Sequence, residues 1–253
     1  NMKKCYLKIV SGTALAVMFL FASCHSAYEV TKAEGACSRS DSTYDVAPIG
    51  SHGVACPLQG EDRQYDVPGS GTAEMSMDKG APESLLSNLV ADVLRGAAAQ
   101  VLGKPADMGL VNMGGLRNVL TEGPNFGNIY EILPFENSLC VVTLKGVYLK
   151  QLFESIAARG GEGVSGVNLR ITKSGKLLGY RSRKPVVDDK LYTVATIDYL
   201  ADGKANDRLI QAEKRDCPPG ATLRGLFMDY VEQQTAAGKK ITSRMEGRIT
   251  VED

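Results

Sequence analysis

The sequence predicts an α/β (α+β) fold, a mixed β-sheet flanked by helices. Three observations point there. Amphipathic helical runs alternate with short apolar runs, some of the short runs are joined by hairpin-like turns such as Ser174-Gly175, and the 253 residues are 43% hydrophobic, enough to bury one good-sized core.

Order is expected to begin at Pro82, with proline at the first helical position and Glu83 in the first turn. The run that follows puts Leu85, Leu86, Leu89, Val90, Val93 and Leu94 on one face of a core-packed helix. Met108 to Val111 reads as a buried strand delivering the glycine turn Asn112-Met113-Gly114-Gly115. Leu139 to Leu144 is a second strand, which Gly146 breaks. Val147, Leu149, Leu152, Phe153 and Ile156 then recur at helical spacing as far as Gly160-Gly161. Val167 to Ile171 and Leu191 to Ile197 form a strand-rich stretch, and a last helix runs from Thr222 through Leu226, Phe227, Tyr230 and Val231 to Gly238. No repeat at solenoid periods is present.

The segment before this domain has a different character. Met2-Lys3-Lys4, the apolar run Ile9 to Ala22 and the ending Phe21-Ala22-Ser23-Cys24 read as a secretory signal over residues 1–23 that resembles the bacterial lipoprotein type. Cys24 is then the expected lipid anchor, held by several acyl chains, and the mature protein is not expected to cross the bilayer. With no acidic export tag after Cys24, a periplasm-facing orientation is the default expectation. Residues 24–80 read as an irregular arm with short strands near Tyr28 and Tyr44, and residues 81–253 as the ordered domain. An exported address permits disulfides, so Cys37 and Cys56 are paired in this reading, whereas Cys140, inside an apolar run, is expected to be a buried thiol. Lys+Arg and Asp+Glu are equal at 29 each, a balance that argues against a nucleic-acid polymer as partner.

The residues able to carry chemistry lie in three short stretches. In NMGGLR, Gly114 and Gly115 let a backbone approach a ligand closely, Arg117 offers a planar fork to phosphate or carboxylate, and Asn112 offers an amide. A tight turn with a solvated arginine has the same pattern. In ILPFENSL, Pro134 can present the Phe135 ring for stacking on a base, flanked by Glu136 and Asn137, although a Phe beside apolar neighbours is commonly core. Tyr199, where a strand enters the polar loop Ala201 to Asp207, can supply a second ring or sit in the core or at its rim.

Together NMGGLR, the stretch from Gly127 through ILPFENSL, the Leu144-Lys145-Gly146 step into a helix, Gly163-Val164-Ser165-Gly166 and YTVATIDYLADG from Tyr192 resemble the C-terminal, substrate-binding domain of the 5'-nucleotidase / UDP-sugar hydrolase family. The likeness covers about Pro82 to Gly203, and more loosely the chain to Val251. It implies that Asn112 and Arg117, with the Gly114-Gly115 turn, face a phosphate, that Phe135 and Tyr199 stack on a base, and that Asn137 contacts that base. Two departures stand out. The family's arginine before the first helix is replaced by Lys79, and its ribose-binding aspartate corresponds to Asp207 only if a small insertion is allowed, and otherwise to Ala205.

The resemblance also implies an absent half. Full-length relatives place a two-metal phosphoesterase domain ahead of this one, and such a site needs several His, Asp and Asn ligands. Here the two histidines, His25 and His52, fall in the arm without a ligand cluster, no cysteine pair has zinc spacing, and Ser165 has no base to activate it. The expected function is binding: an exported module that holds a nucleoside monophosphate or related nucleotide for a separate metallophosphoesterase chain. No catalytic residue, metal site or cofactor is expected in this chain, with divalent metals confined to that partner. The alternatives are an apparent 5'-nucleotidase using a recruited metal site, and a decayed pocket serving as a protein-interaction scaffold.

Overall fold

The structure, a computed structural model, describes residues 72–204 and 207–253, with only the backbone of Asp207. The signal segment, Cys24, the Cys37–Cys56 pairing and both histidines therefore lie outside the described residues, as do Ala205 and the Asp207 side chain.

The first helix, α1 (Leu85–Ala97), starts later than the proline suggests. Ser84 is its N-cap, because its hydroxyl accepts from Ser87 N at 3.2 Å while Ser87 Oγ accepts from Ser84 N at 3.1 Å. This reciprocal cap satisfies two otherwise orphaned amides, which Pro82 cannot do. A short α2 (Ala99–Leu102) follows after a break at Ala98. The stretch Leu85–Leu102 is long and apolar enough to cross a membrane by composition, but here its apolar face packs on the domain's own strands. Those strands are β1 (Met108–Val111) and β3 (Gly163–Ser165), and Gly109 lets the helix lie directly on the sheet: a Cβ there would come 2.5 Å from the Ala91 carbonyl oxygen.

A 3₁₀ turn (Met113–Gly115) and a short α3 (Phe126–Ile132) lead to β2 (Leu139–Lys145), and α4 (Gly146–Ala158) follows without a loop. Leu149, Leu152, Phe153 and Ile156 of α4 are buried as their spacing predicts, whereas Val147, in the first turn, is 37% exposed. Next come β4 (Val167–Thr172), β5 (Leu177–Ser182), β6 (Leu191–Ile197) and the single-turn α5 (Asp198–Ala201). A 3₁₀ segment, β7 (Lys214–Asp216), α6 (Leu223–Ala236) and β8 (Ile249–Glu252) complete the chain.

The strands make two mixed sheets. The larger has the order β3-β1-β6-β2-β7, with β1 parallel to β6 and β2 antiparallel to both β6 and β7; the smaller is β5-β4-β8. Helix α1 covers β1, β3 and β6, while α4 packs against β2 and β6 and reaches β4 and β5. The interior strand β2 is buried on both faces from Leu139 to Val142, which explains why its sequence is almost continuously apolar. The residues just before α1, read as the end of an arm, are irregular yet part of this core. Met77 is fully buried and exchanges backbone hydrogen bonds with Leu120 at 2.8 and 2.9 Å.

Candidate functional site

Strand register gathers the candidate residues at one end of the larger sheet. Leu139 of β2 pairs with Ile197 of β6, and Asp198 N donates to Ser138 O at 2.9 Å, so the segment carrying Phe135 enters the sheet where the segment carrying Tyr199 leaves it. Because β1 runs parallel to β6, its exit at Val111 also opens on this end, and Thr196 Oγ1 locks the two strands by donating to Leu110 O at 3.0 Å. The segments carrying Asn112, Arg117, Phe135, Asn137 and Tyr199 thus lie at one end of the larger sheet although they are far apart in sequence.

Neither ring is core. Phe135 is 44% exposed and Tyr199 is 40% exposed, and the Arg117 guanidinium carbon lies 5.2 Å from the Phe135 ring centroid. Lys204 sits over Tyr199 at 5.9 Å. Both distances are within cation–π range. Arg117 N donates to Ile132 O at 2.9 Å, which fixes the arginine beside the end of α3 from which the Phe135 loop departs. Arg117 and both rings are exposed. Asn137 is partly buried, and its carbonyl accepts from Leu223 N at 2.8 Å.

Gly114 and Gly115 lie in a right-handed 3₁₀ turn, and neither is among the positive-φ glycines. What Gly115 provides is room: a Cβ there would come 3.1 Å from Asn112 Oδ1, so the Asn112 side chain folds back over the turn. That Oδ1 is buried and has no partner among the described groups. A buried acceptor left unpaired costs about 1–3 kcal/mol.

Three further residues support these groups, of which only Lys79 was named from the sequence. Lys79, visible only as the nearest upstream cation, donates from Nζ to Leu116 O at 2.6 Å and so stands next to Arg117. Glu162 accepts from Met113 N and holds the 3₁₀ turn from behind; burial pushes its carboxyl above the ordinary range, against the opposing pull of that hydrogen bond and of Arg159. Arg224, a charge on the buried face of α6, donates to Leu133 O at 3.0 Å, pairs with Glu136 and stacks 4.1 Å from the Tyr130 ring centroid. It thereby braces the Leu133–Glu136 loop. The one sequence signal for Arg224 was its place between Leu223 and Leu226.

Cys140 is not a free thiol. It forms a disulfide with Cys217, across 77 residues, joining β2 to the segment just after β7. The apolar run around Cys140 correctly indicated burial, but a partner so distant in sequence leaves no local trace. Among the described residues, no three of His, Cys, Asp and Glu converge as metal ligands.

The comparison with known families decides what this domain is. A family model described as 5'-nucleotidase, C-terminal domain, matches residues 66–214. The chain belongs to that family. A 5'-nucleotidase of known structure from Thermus thermophilus superposes with a TM-score of 0.62 and 25% identity, covering 72% of this chain and 39% of that one. A Haemophilus influenzae NAD nucleotidase, at 18% identity and TM-score 0.59, shares the fold over 75% of this chain and 39% of its own. Among curated relatives, the snake venom 5'-nucleotidase of Macrovipera lebetinus is 26% identical over 170 residues, 58% of this chain and 41% of that protein. The rat 5'-nucleotidase is 28% identical over 166 residues, 56% of this chain and 28% of that protein. The chain thus spans well under half the length of these relatives. As a 5'-nucleotidase C-terminal domain, it carries Cys217, Arg224 and Arg248 beyond the matched span, which starts ahead of Pro82.

Proposed function

We propose that this chain holds a nucleoside monophosphate by base and phosphate and presents it to a separate metallophosphoesterase chain, contributing orientation rather than bond-breaking. The observation that carries the reading is the Arg117 guanidinium beside the exposed Phe135 ring, on the sheet end from which Tyr199 emerges. Phe135 and Tyr199 stack on the base, each ring contributing on the order of 1–3 kcal/mol. Arg117, with Lys79 next to it, neutralises the phosphate, and the Asn112 amide adds a directed contact above Gly114 and Gly115. Asn137 contacts the base, and Asp207 takes the ribose. Divalent metals belong to the partner.

In this reading the protein is exported and anchored through Cys24, facing the periplasm. The Cys140–Cys217 disulfide supports an oxidising compartment. Calorimetric titration with AMP tests the binding: wild type gives saturable heat, and Phe135→Ala and Arg117→Ala weaken it. No heat with any nucleotide would end the proposal. Phosphate release from nucleoside monophosphates with divalent metal, measured with and without a metallophosphoesterase partner, separates presentation from hydrolysis by this chain.

A further inference from the structure

A concavity of about 380 Å³ lies at the other end of the larger sheet from Phe135 and Tyr199. Its wall includes Met108 at the start of β1 and Tyr192 near the start of β6, with the turn after β5 across from them. Five residue steps along β6 separate Tyr192 from Ile197, about 17 Å at strand rise. A ligand here does not touch Phe135 or Tyr199. The volume is that of a small-molecule site.

Four cations line this cavity: Arg95, Lys104, Arg183 and Lys184. Its one carboxylate is already engaged, since Asp107 Oδ2 accepts from Thr193 N at 2.9 Å and from Thr193 Oγ1 at 3.0 Å. Among the described residues no carboxylate forms an ion pair with any of the four cations. The whole chain is balanced at 29 charges of each sign, so this grouping is local. Like charges around a low-dielectric wall repel one another and focus a positive potential into the concavity.

The site is also shaped. Arg95 Nε donates to Ala106 O at 2.8 Å, which orients the guanidinium and leaves its terminal nitrogens for another acceptor. Gly166, at φ +81°, makes room for it: a Cβ there would lie 3.0 Å from Arg95 Nε and 3.3 Å from its Cζ, and would collide with the Asp107 carbonyl. The Tyr192 hydroxyl donates to Pro185 O at 3.0 Å and accepts from Val187 N at 2.9 Å, which pins the turn bearing Arg183 and Lys184. Beneath the cations the floor is apolar, with Met108, Leu149, Phe153 and Val186 all buried.

We infer that this cavity binds a small, multiply charged anion of the phosphate class, free or carrying a compact apolar group. The four cations come from α1, the loop after α2 and the turn after β5, so they approach from several directions. A tetrahedral polyanion offers acceptors to all of them, whereas a single carboxylate lies in the plane of one guanidinium.

Titration of the full chain with inorganic phosphate, pyrophosphate and phenyl phosphate at constant ionic strength tests the site. Pyrophosphate or phenyl phosphate should saturate at about 1 mM or below, and the exposed double variant R183A/K184A should weaken that binding about tenfold while leaving any AMP binding unchanged. Arg117→Ala should leave intact the component of anion binding that R183A/K184A removes, while weakening any AMP binding, so failure of the nucleotide reading is distinguishable from failure here. Tighter binding of phenyl phosphate than of inorganic phosphate identifies an ester that uses the apolar floor; tighter binding of pyrophosphate identifies the free anion. Absence of saturation, or loss of binding in Arg117→Ala with retention in R183A/K184A, overturns the inference.

Discussion

Two arginines of this domain sit in opposite kinds of surroundings. Arg248 is buried, and its guanidinium reaches Asn88 O at 3.2 Å, Val164 O at 2.8 Å, both Asp92 carboxylate oxygens at 2.9 and 2.7 Å, and Glu246 at 2.9 Å. The surrounding polar groups are equally occupied: Glu83 takes the Arg248 and Glu246 amides at 2.8 and 2.9 Å, and Asn88 Nδ2 at 2.6 Å. Arg117 is exposed and lies over an exposed ring, and nearby Asn112 keeps an unpartnered buried oxygen. The first cluster ties α1 to the residues leading into β8, and its hydrogen bonds are complete. The second has donors, an acceptor and a ring left over. Completed polar networks hold a fold, whereas incomplete ones at a surface are where a ligand finds partners.

Breaking the frame should cost most. Reducing the Cys140–Cys217 disulfide, or replacing both residues with serine, releases a long loop. Stability should fall by about 3–4 kcal/mol, read from urea denaturation with and without reductant. No change on reduction would mean that β2 is held by its sheet partners alone. Arg248→Met should cost somewhat less, roughly 3 kcal/mol, the low end for losing one member of a buried pair because Asp92 is half exposed and can rehydrate. Nucleotide affinity of the folded fraction should not change, and a drop in it would erase the division drawn between the two clusters.

Phe135→Ala inverts that pattern. The ring is exposed, so thermal stability should stay within about 0.5 kcal/mol of wild type, while AMP binding weakens by about 1–3 kcal/mol in calorimetry. A large stability loss with unchanged binding would turn Phe135 into a structural residue.

The same division explains what the sequence revealed. β1, β2 and α4 were readable because each buries a contiguous or periodic apolar set, a signal contained within a few residues. α3 was not, because seven residues with a glycine among them carry too little periodicity; Asn125 caps it and α6 packs on it. β7 and β8 are short strands with mostly exposed side chains, defined by partners distant in sequence. At the site, Asn112, Arg117, Phe135 and Tyr199 stood out as residue types in motifs, but their meeting depends on the β1–β6–β2 register, which no local pattern encodes. The contacts of Lys79, Glu162 and Arg224 were hidden for the same reason: each acts on a backbone group more than thirty residues away.

Glu162 joins the two behaviours, since it is a buried carboxyl committed to supporting an open face. Burial raises its pKa above the ordinary 4.5, so between that value and its own raised value the folded protein binds more protons than the unfolded chain. Stability from this group is therefore greatest in acid and is lost as pH rises through that window. Glu162→Gln keeps an acceptor for Met113 N and removes the ionisation. The wild type should lose stability relative to the variant as pH climbs from about 4.5 toward neutrality, and thermal melts across that range measure it. Parallel melting curves would show that Glu162 ionises in the folded protein as freely as in the unfolded chain, and that the turn beside Asn112 rests on its own backbone hydrogen bonds.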